Sequence, residues 1–422
     1  MLDPENDELL TRVGPRTPLG EMMRRYWHPI ALSSQVEADG APLRTKLLGE
    51  RFVVFRDTDG KVGVLEEMCM HRGVSLALGR NEEGGLRCIY HGWKFAVDGT
   101  ILETPNHADC RFRQARRAPA FPVHEQSGLI WTYIGPKEEQ PPFREFVYDR
   151  VPEANRAVFR ANNRAAFLPM WEGGLDSSHV SILHTDLLRP SWTGARRGDE
   201  GVEVGSWDSL SPTYEAEETP FGFHYCAFRD IPGQEGIVRN ARLVPAIMPY
   251  MRIIPSARGP HTFAFEVPMD DFETATYVVA WSEGGPVDPE PLRLMLGFAG
   301  PYFDPVTHDV KIDWGNRLGQ DRSKMGDSWT GIQGLEMEDF AMSVSLGEDW
   351  SRTKENLVTS DMAIVRMRRM LIDAVRRFQN GEAPPAVKVS DMTGVRAFDL
   401  NIGSDEGWQG LADSNRLAEA AQ

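Results

Sequence analysis

The sequence predicts an α+β protein: an all-β domain comes first, followed by a larger domain that mixes antiparallel strands with helices. Three observations carry this reading. Short strand-like runs punctuated by Asp-Gly turns fill residues 43–135. A Pro- and charge-rich stretch, Gly135–Pro142, then breaks the pattern and marks a domain boundary. Beyond it, strand runs mix with helical ones, among them one long amphipathic helix near the C-terminal end.

Taken in order, residues 18–32 (PLGEMMRRYWHPIAL) read as a short helix with Thr17 as N-cap and Pro18 at the first helical position. Residues 1–40 are accordingly expected as an N-terminal helical segment packing on the larger domain, 41–140 as the β domain and 141–422 as the larger domain. Arg51–Arg56 and Lys61–Leu65 flank Asp57-Thr58-Asp59-Gly60, and Lys94–Val97 and Thr100–Leu102 flank Asp98-Gly99. Both are hairpin signals, because such turns need residues that tolerate positive φ. Gly128–Ile134 is a further strand, closed by Gly135-Pro136. In the second half Phe221–Arg229, Ala246–Ile254, Thr262–Val267 and Ala275–Ser282 are candidate strands. Residues 361–380 form the clearest helix: Ser360 caps it, Gly381 ends it, and Ile364, Met367, Leu371, Ala374 and Phe378 share one apolar face that packs on a core. The tail after 390 is rich in Asp, Gly and Ser and reads as an irregular surface extension.

Composition excludes several classes. The net charge of −16, from 62 acidic against 46 basic side chains, repels phosphate backbones and argues against nucleic-acid binding. No apolar run reaches the eighteen or so residues needed to span a membrane, and the acidic opening has no signal-peptide core, so a cytoplasmic location is expected. The four cysteines, Cys69, Cys88, Cys110 and Cys226, are expected to be free or metal-bound rather than disulfide-linked.

Two of them belong to a motif. Cys69-Met70-His71-Arg72 is followed by Arg87-Cys88-Ile89-Tyr90-His91-Gly92-Trp93. A tetrahedral Zn²⁺ site is the first competitor. Each loop, however, supplies one Cys and one His, which suits a [2Fe–2S] cluster with one iron on two thiolates and the other on two imidazoles. Neutral imidazoles in place of thiolates raise the cluster potential. Gly73 and Gly92 let backbone N–H groups approach the sulfides, and Trp93 shields one side. A second constellation is Asp176-Ser177-Ser178-His179-Val180-Ser181-Ile182-Leu183-His184. Two histidines five apart supply two legs of a 2-His-1-carboxylate triad, which leaves positions open for O₂ on a non-haem Fe(II). As core or capping residues the same histidines would carry no chemistry, and the pairing with a cluster motif in one chain weighs against that.

On these motifs the chain resembles Rieske non-haem iron aromatic ring-hydroxylating oxygenases, specifically the oxygenase (alpha) subunits of the phthalate dioxygenase-like branch. The resemblance runs through Arg12-Val13-Gly14-Pro15, Cys69–Arg72, Gly85–Lys94, Glu172–His184 and Gln333–Met342. Respiratory Rieske proteins carry two extra cysteines beside the ligands, absent here, and Met70 replaces the usual Pro. The resemblance implies an all-β Rieske domain plus a catalytic domain whose antiparallel sheet is flanked by helices (helix-grip, START-like). It implies one [2Fe–2S] cluster on Cys69, His71, Cys88 and His91, and one Fe(II) on His179, His184 and Asp339. Glu338, Glu336 and Asp361 are competing acids among which composition does not choose. It assigns Asp176 a catalytic role as the bridge to a Rieske histidine of a neighbouring subunit in a homotrimer or stacked trimers. No G-x-G-x-x-G follows a strand, so a separate NAD(P)H-dependent reductase, with or without a ferredoxin, must supply electrons.

For the substrate, the resemblance implies either cis-dihydroxylation of an aryl carboxylate or O- or N-dealkylation of an aryl ether, amine or anilide. Apolar residues near the histidine motif and the strands (Phe167, Trp171, Ile182, Leu183, Trp192, Phe221, Phe223, Met248) suit an aromatic ring. Arg189, Arg229, Arg239, Arg242 and Arg252 are candidates to clamp a carboxylate. The polar stretch Thr185–Ser211 reads as a lid or insertion. A Rieske electron carrier with an inert extension and a zinc-stabilised binding protein are the rival classes. A second, labile iron argues against the first, and a coloured protein against the second.

Overall fold

The Asp57–Gly60 and Asp98–Gly99 turns fold as their dipeptides predict, and the sheets of the first half grow from them. The structure is a computed structural model that describes residues 2–188, 211–230, 238–256, 259–403 and 407–413. It contains two units: Val13–Phe143 with Met269–Asp271, and Met1–Arg12 with Arg144–Pro268 and Phe272–Gln422. The helix α1 (Pro4–Thr11), capped by Asp3, belongs to the larger unit.

The smaller unit opens with α2 (Pro18–Met23), capped by Thr17, whose hydroxyl accepts from Gly20 N–H at 3.2 Å. The predicted helix over 18–32 stops there, and residues 27–32 form β1 (Trp27–Leu32) instead. Pro29 cannot continue a helix but is tolerated in an edge strand, and the run Trp27–Leu32 is buried at every position. Next come β2 (Leu43–Leu47), β3 (Glu50–Arg56) and β4 (Val62–Glu66), then the short β5 (Arg80–Glu82), β6 (Gly85–Arg87), β7 (Lys94–Phe95) and β8 (Ile101–Glu103). After α3 (Cys110–Ala115) follow β9 (Ala120–Phe121), β10 (Val123–Gln126) and β11 (Leu129–Tyr133). Three antiparallel sheets result, in the orders β1-β11-β10, β2-β3-β4-β9 and β5-β6-β7-β8. The expectation that all of residues 1–40 pack on the larger domain is therefore corrected: residues 13–40 belong to the smaller unit, because β1 pairs with β11.

The larger unit is organised on an antiparallel sheet. Its elements are β12 (Glu145–Phe146), β13 (Arg156–Asn163), α4 (Phe167–Leu175), α5 (Thr185–Leu188), β14 (Thr213–Thr219), β15 (Gly222–Asp230), β16 (Val238–Ile247), β17 (Met251–Ile254), β18 (His261–Pro268) and β19 (Thr274–Trp281). Then come α6 (Pro289–Leu296), α7 (Leu335–Ser345), α8 (Met362–Gln379), β20 (Asp391–Met392) and β21 (Phe398–Gly403). The strand order is β13-β19-β18-β17-β16-β15-β14, with β21 beside β16. The stretch 246–254 is not one strand. Pro249 has no N–H for a ladder, so the chain turns and Ile247 faces Met251 across a hairpin. The tail is not wholly irregular either, because β21 pairs with β16 from Gly403↔Val238 to Phe398↔Leu243. Helix α8 matches its prediction closely; Met367 and Leu371 are fully buried, each worth roughly 2 kcal/mol. Its N-cap is Asp361 rather than Ser360, and the Asp361 carboxylate accepts from Val358 N–H at 2.7 Å. That local bond takes Asp361 out of the competition for iron. No helix among the described residues is long and apolar enough to cross a membrane. Most of the stretch read as a lid, residues 189–210 with Arg189 and Trp192, lies outside the described residues.

Candidate metal centres

In the smaller unit two loops of matching construction carry the first motif. Cys69 N–H donates to the Val74 carbonyl and Gly73 N–H returns to Cys69, both at 2.8 Å. Cys88 N–H likewise donates to the Trp93 carbonyl at 2.8 Å, and Gly92 N–H returns to Cys88 at 2.9 Å. Gly73 and Gly92 sit at φ +69° and +76°, a conformation that a side chain would strain. Each Cys-to-Gly span of five residues therefore folds into the same tight loop.

The thiols of Cys69 and Cys88 are buried, 2% and 3% exposed, while His71 and His91 are partly exposed. The imidazoles stand edge to face with centroids 4.5 Å apart, and Trp93 stacks on His71 at 4.6 Å and 6°. The Trp93 indole N–H is anchored on Asn106 at 2.7 Å, so the shield predicted for Trp93 is a stacked one. Burial first, and then the neighbouring Cys88 thiol, push the Cys69 thiol up to about 11. The donors thus form two pairs, thiols inside and imidazoles outside. A single zinc ion would draw all four within about 4 Å of one another. Among the described residues, three or more donor atoms mutually within 4.8 Å occur elsewhere and not in this set. Two pairs, with the buried His91 Nδ1 left without a hydrogen-bond partner among the described residues, fit a two-iron cluster.

That other place is the second motif, in the larger unit. Helix α4 ends at Asp176, whose Oδ1 accepts from Ser178 N–H (2.7 Å) and Ser178 Oγ–H (2.6 Å). A short 3₁₀ turn, His179–Ser181, follows, with Leu183 N–H reaching back to the His179 carbonyl at 2.7 Å. This single turn brings histidines five residues apart onto one side, their rings 5.0 Å apart. Helix α7 adds Asp339. The three donor atoms make a nearly regular triangle: His179 Nε2 to His184 Nε2 3.2 Å, His184 Nε2 to Asp339 Oδ1 3.4 Å, His179 Nε2 to Asp339 Oδ1 3.5 Å. Cis ligands on a six-coordinate first-row metal with bonds of about 2.1 Å lie about 3 Å apart, so the triangle fits one face of such a site. The His184 side chain is 3% exposed, while those of His179 and Asp339 keep 21% and 20%. The open side is where a small molecule must arrive.

Electrostatics favour a cation here. Burial works against a charged His184, yet Asp339 and Glu338 outweigh it and raise its pKa to about 10. Burial also opposes the Asp339 carboxylate, but His184, His179 and Arg252 hold it below the usual range. A metal at His184 Nε2 would displace the proton that this field attracts. Of the acids competing for the third leg, Glu338 turns instead to His184 Nδ1 at 2.8 Å, and Glu336 is buried three residues before Asp339, near Arg252. Asp176 Oδ2 stands 3.5 Å from His179 Nδ1, an ion-pair distance too long for a good hydrogen bond. The supporting groups Thr330 and Glu266 escape sequence reasoning altogether, and Arg252, expected as a clamp for a substrate carboxylate, is instead paired with Glu266 at 2.6 Å; the three converge only through strand register and helix packing.

Comparison with known proteins agrees with both centres. A Rieske [2Fe-2S] domain model matches residues 26–122, and a LigXa C-terminal domain-like model matches residues 132–422. The phthalate 4,5-dioxygenase oxygenase subunit of Pseudomonas putida is 35% identical, across 99% of this chain and 98% of its own length. The 3-chlorobenzoate-3,4-dioxygenase oxygenase subunit of Comamonas testosteroni is 33% identical, over 92% of each chain. The 5,5'-dehydrodivanillate O-demethylase oxygenase subunit of Sphingobium sp. is 30% identical, over 92% of this chain and 84% of that one. The crystal structure of dicamba monooxygenase bound to 3,6-dichlorosalicylic acid shares the fold at a TM-score of 0.58 and 18% identity, covering 85% of this chain and 99% of that one. With a Rieske domain, a family-matched catalytic domain and a triad of donors suited to Fe(II), this chain belongs to the Rieske non-haem iron oxygenases, as the oxygenase subunit of a multicomponent system.

Proposed function

We propose that the chain hydroxylates an aromatic carboxylate of the phthalate type by cis-dihydroxylation. Cys69, His71, Cys88 and His91 hold the [2Fe–2S] cluster, and His179, His184 and Asp339 hold Fe(II). A separate NAD(P)H-dependent reductase, directly or through a ferredoxin, supplies electrons in the cytoplasm. The subunits assemble head to tail as a homotrimer or stacked trimers, closed heterologous rings in which one subunit's cluster serves the next subunit's iron across Asp176. Asp176 suits that role, because Oδ1 is fixed by Ser178 while Oδ2 faces His179.

The observation that carries the substrate reading is Arg229 on β15. It is 1% exposed and donates through Nη2 to the carbonyl of Ser177, the residue after Asp176. Its guanidinium is a buried positive charge against the Asp176 turn, so a substrate carboxylate reaching that side of the triad would be stabilised by it. The two relatives named for aryl carboxylates support the same class. O- or N-dealkylation is the second reading. Arg242 is already paired with Asp399 at 2.7 Å, which reduces the positive field, and an O-demethylase stands among the relatives.

Product mass spectrometry under ¹⁸O₂, with a reductase and a panel of aryl carboxylates and aryl ethers, tests this. Two labels in a cis-diol of a carboxylate support dihydroxylation. A dealkylated product selects the second reading, and no turnover on any carboxylate overturns the first.

A further inference from the structure

The two histidines of the iron triangle are supported unequally. His184 Nδ1 lies 2.8 Å from Glu338 Oε2, and the other oxygen, Oε1, lies 2.6 Å from Thr330 Oγ1. All three groups are buried, at 2% exposure for His184, 2% for Glu338 and 7% for Thr330. The direction of each bond follows from counting protons. Thr330 Oγ1 receives Ile332 N–H at 3.1 Å, and of the two acceptors within reach of its single proton, Glu338 Oε1 at 2.6 Å is far closer than the Ile332 carbonyl at 3.4 Å. Glu338 then accepts at both oxygens and is a carboxylate, and the proton between it and His184 sits on Nδ1. His184 is thereby locked in the tautomer whose Nε2 lone pair points at His179 and Asp339. The chain Ile332–Thr330–Glu338–His184 lies wholly inside the larger unit. Among the described residues His179 has no support of that closeness on its outer nitrogen, where Asp176 stands 3.5 Å away with its other oxygen committed to Ser178.

We propose that Glu338 is a positioning residue for the mononuclear centre: by accepting His184 Nδ1–H it fixes and enriches the ligand nitrogen, making His184 the permanent anchor of the metal and His179 the adjustable one. This rests on the reading that His179, His184 and Asp339 bind the iron. Outer carboxylates that orient a ligating imidazole and raise its basicity typically change metal affinity 10–100-fold when removed.

The test uses the cluster-bearing protein, stripped of its mononuclear metal by chelation and titrated with Co(II), with binding read from the d–d absorption. Glu338→Leu should weaken Co(II) binding by about 100-fold, and Glu338→Gln, which keeps shape and an acceptor but loses the charge, by about 10-fold. The Gln variant should keep the form of the Co(II) spectrum, because the three ligand atoms are unchanged; Asp339→Asn should alter it. A residue that merely packs would be left indifferent by the near-isosteric Gln. If His184→Ala binds Co(II) as well as wild type, the ligand reading and this proposal fall together. If His184→Ala loses binding while Glu338→Gln and Glu338→Leu keep wild-type affinity, the ligands stand and the role of Glu338 is overturned.

Discussion

Replacing Gly174 by alanine should destabilise the larger unit by far more than a helix substitution ordinarily does. Gly174 lies in the last turn of α4, two residues before Asp176. A Cβ there would sit 1.8 Å from Arg252 Nε, 2.1 Å from Cζ and 2.2 Å from Cδ. Arg252 on β17 is 4% exposed; its Nη1 donates to Glu266 Oε1 at 2.6 Å, and Glu266, fully buried, also accepts from Thr276 at 2.6 Å. Displacing the guanidinium strands the Glu266 carboxylate, and losing one partner of a buried pair costs about 3–5 kcal/mol. Alanine returns at most about 1 kcal/mol of helix propensity, leaving a net loss of about 2–4 kcal/mol. Urea denaturation of the larger unit, followed through the buried Trp171 and Trp281, measures it. The same substitution in an Arg252→Ala background should be neutral or mildly stabilising, because the clashing atoms are gone. An equal cost in both backgrounds, or no cost in either, would refute the reasoning.

Three further outcomes follow from other parts of the molecule. His28, fully buried with its Nε2 on the Met23 carbonyl at 2.8 Å, has its pKa lowered to about 4, chiefly by burial. The unfolded chain therefore takes up a proton below about 6.5 that the folded one refuses until about 4, so acidification across that window should cost roughly 3 kcal/mol, and His28→Gln should flatten the loss in pH-dependent thermal melts. Asp176→Asn should leave reduction of the cluster by the reductase intact while slowing product formation about 10–100-fold; unchanged single-turnover rates would remove Asp176 from the coupling. Saturating the mononuclear site with Co(II) at 100-fold above its Kd should stabilise the larger unit by about 2.7 kcal/mol in calorimetry and leave the cluster unit's transition where it was.

Much of this was legible in the sequence, and the exceptions have physical causes. The hairpins at Gly60 and Gly99 announce themselves because local backbone chemistry dictates them, and α8 because its apolar stripe is long. Residues 18–32 mislead because Thr17 and Pro18 signal a helix start, whereas only burial on every side shows that Trp27–Leu32 is a strand. The alternation Phe398, Leu400, Ile402 does mark β21, but Asp399 and Asn401 between them look like loop until β16 supplies their partners, Arg242 and Asn240 for Asp399 among them. Cys69, His71, Cys88, His91, His179 and His184 stand out by spacing alone. Asp339 does not: three acids crowd residues 336–339, and only the helical phase of α7 decides which one turns to His179 and His184.

That phase also sets the charge balance, which gives an independent reason to expect a multivalent cation. Asp339 in the triangle, with Glu338 and Asp176 on the outer sides of its two histidines, makes three carboxylates, while the Arg252 cation is itself matched by Glu266. Glu336, its pKa pushed to about 8 by burial and then by Asp339, stays protonated at neutral pH and adds nothing. Uncompensated negative charge in a buried site is costly, so this excess of carboxylates favours a multivalent cation between the three donors. Asp176 answers His179 from its outer side, 3.5 Å from Nδ1 and 19% exposed at its side chain. The acid behind His179 is therefore held less tightly than Glu338 behind His184, 3.5 Å against 2.8 Å, so any adjustment of the site to a change in charge falls first on the His179 side.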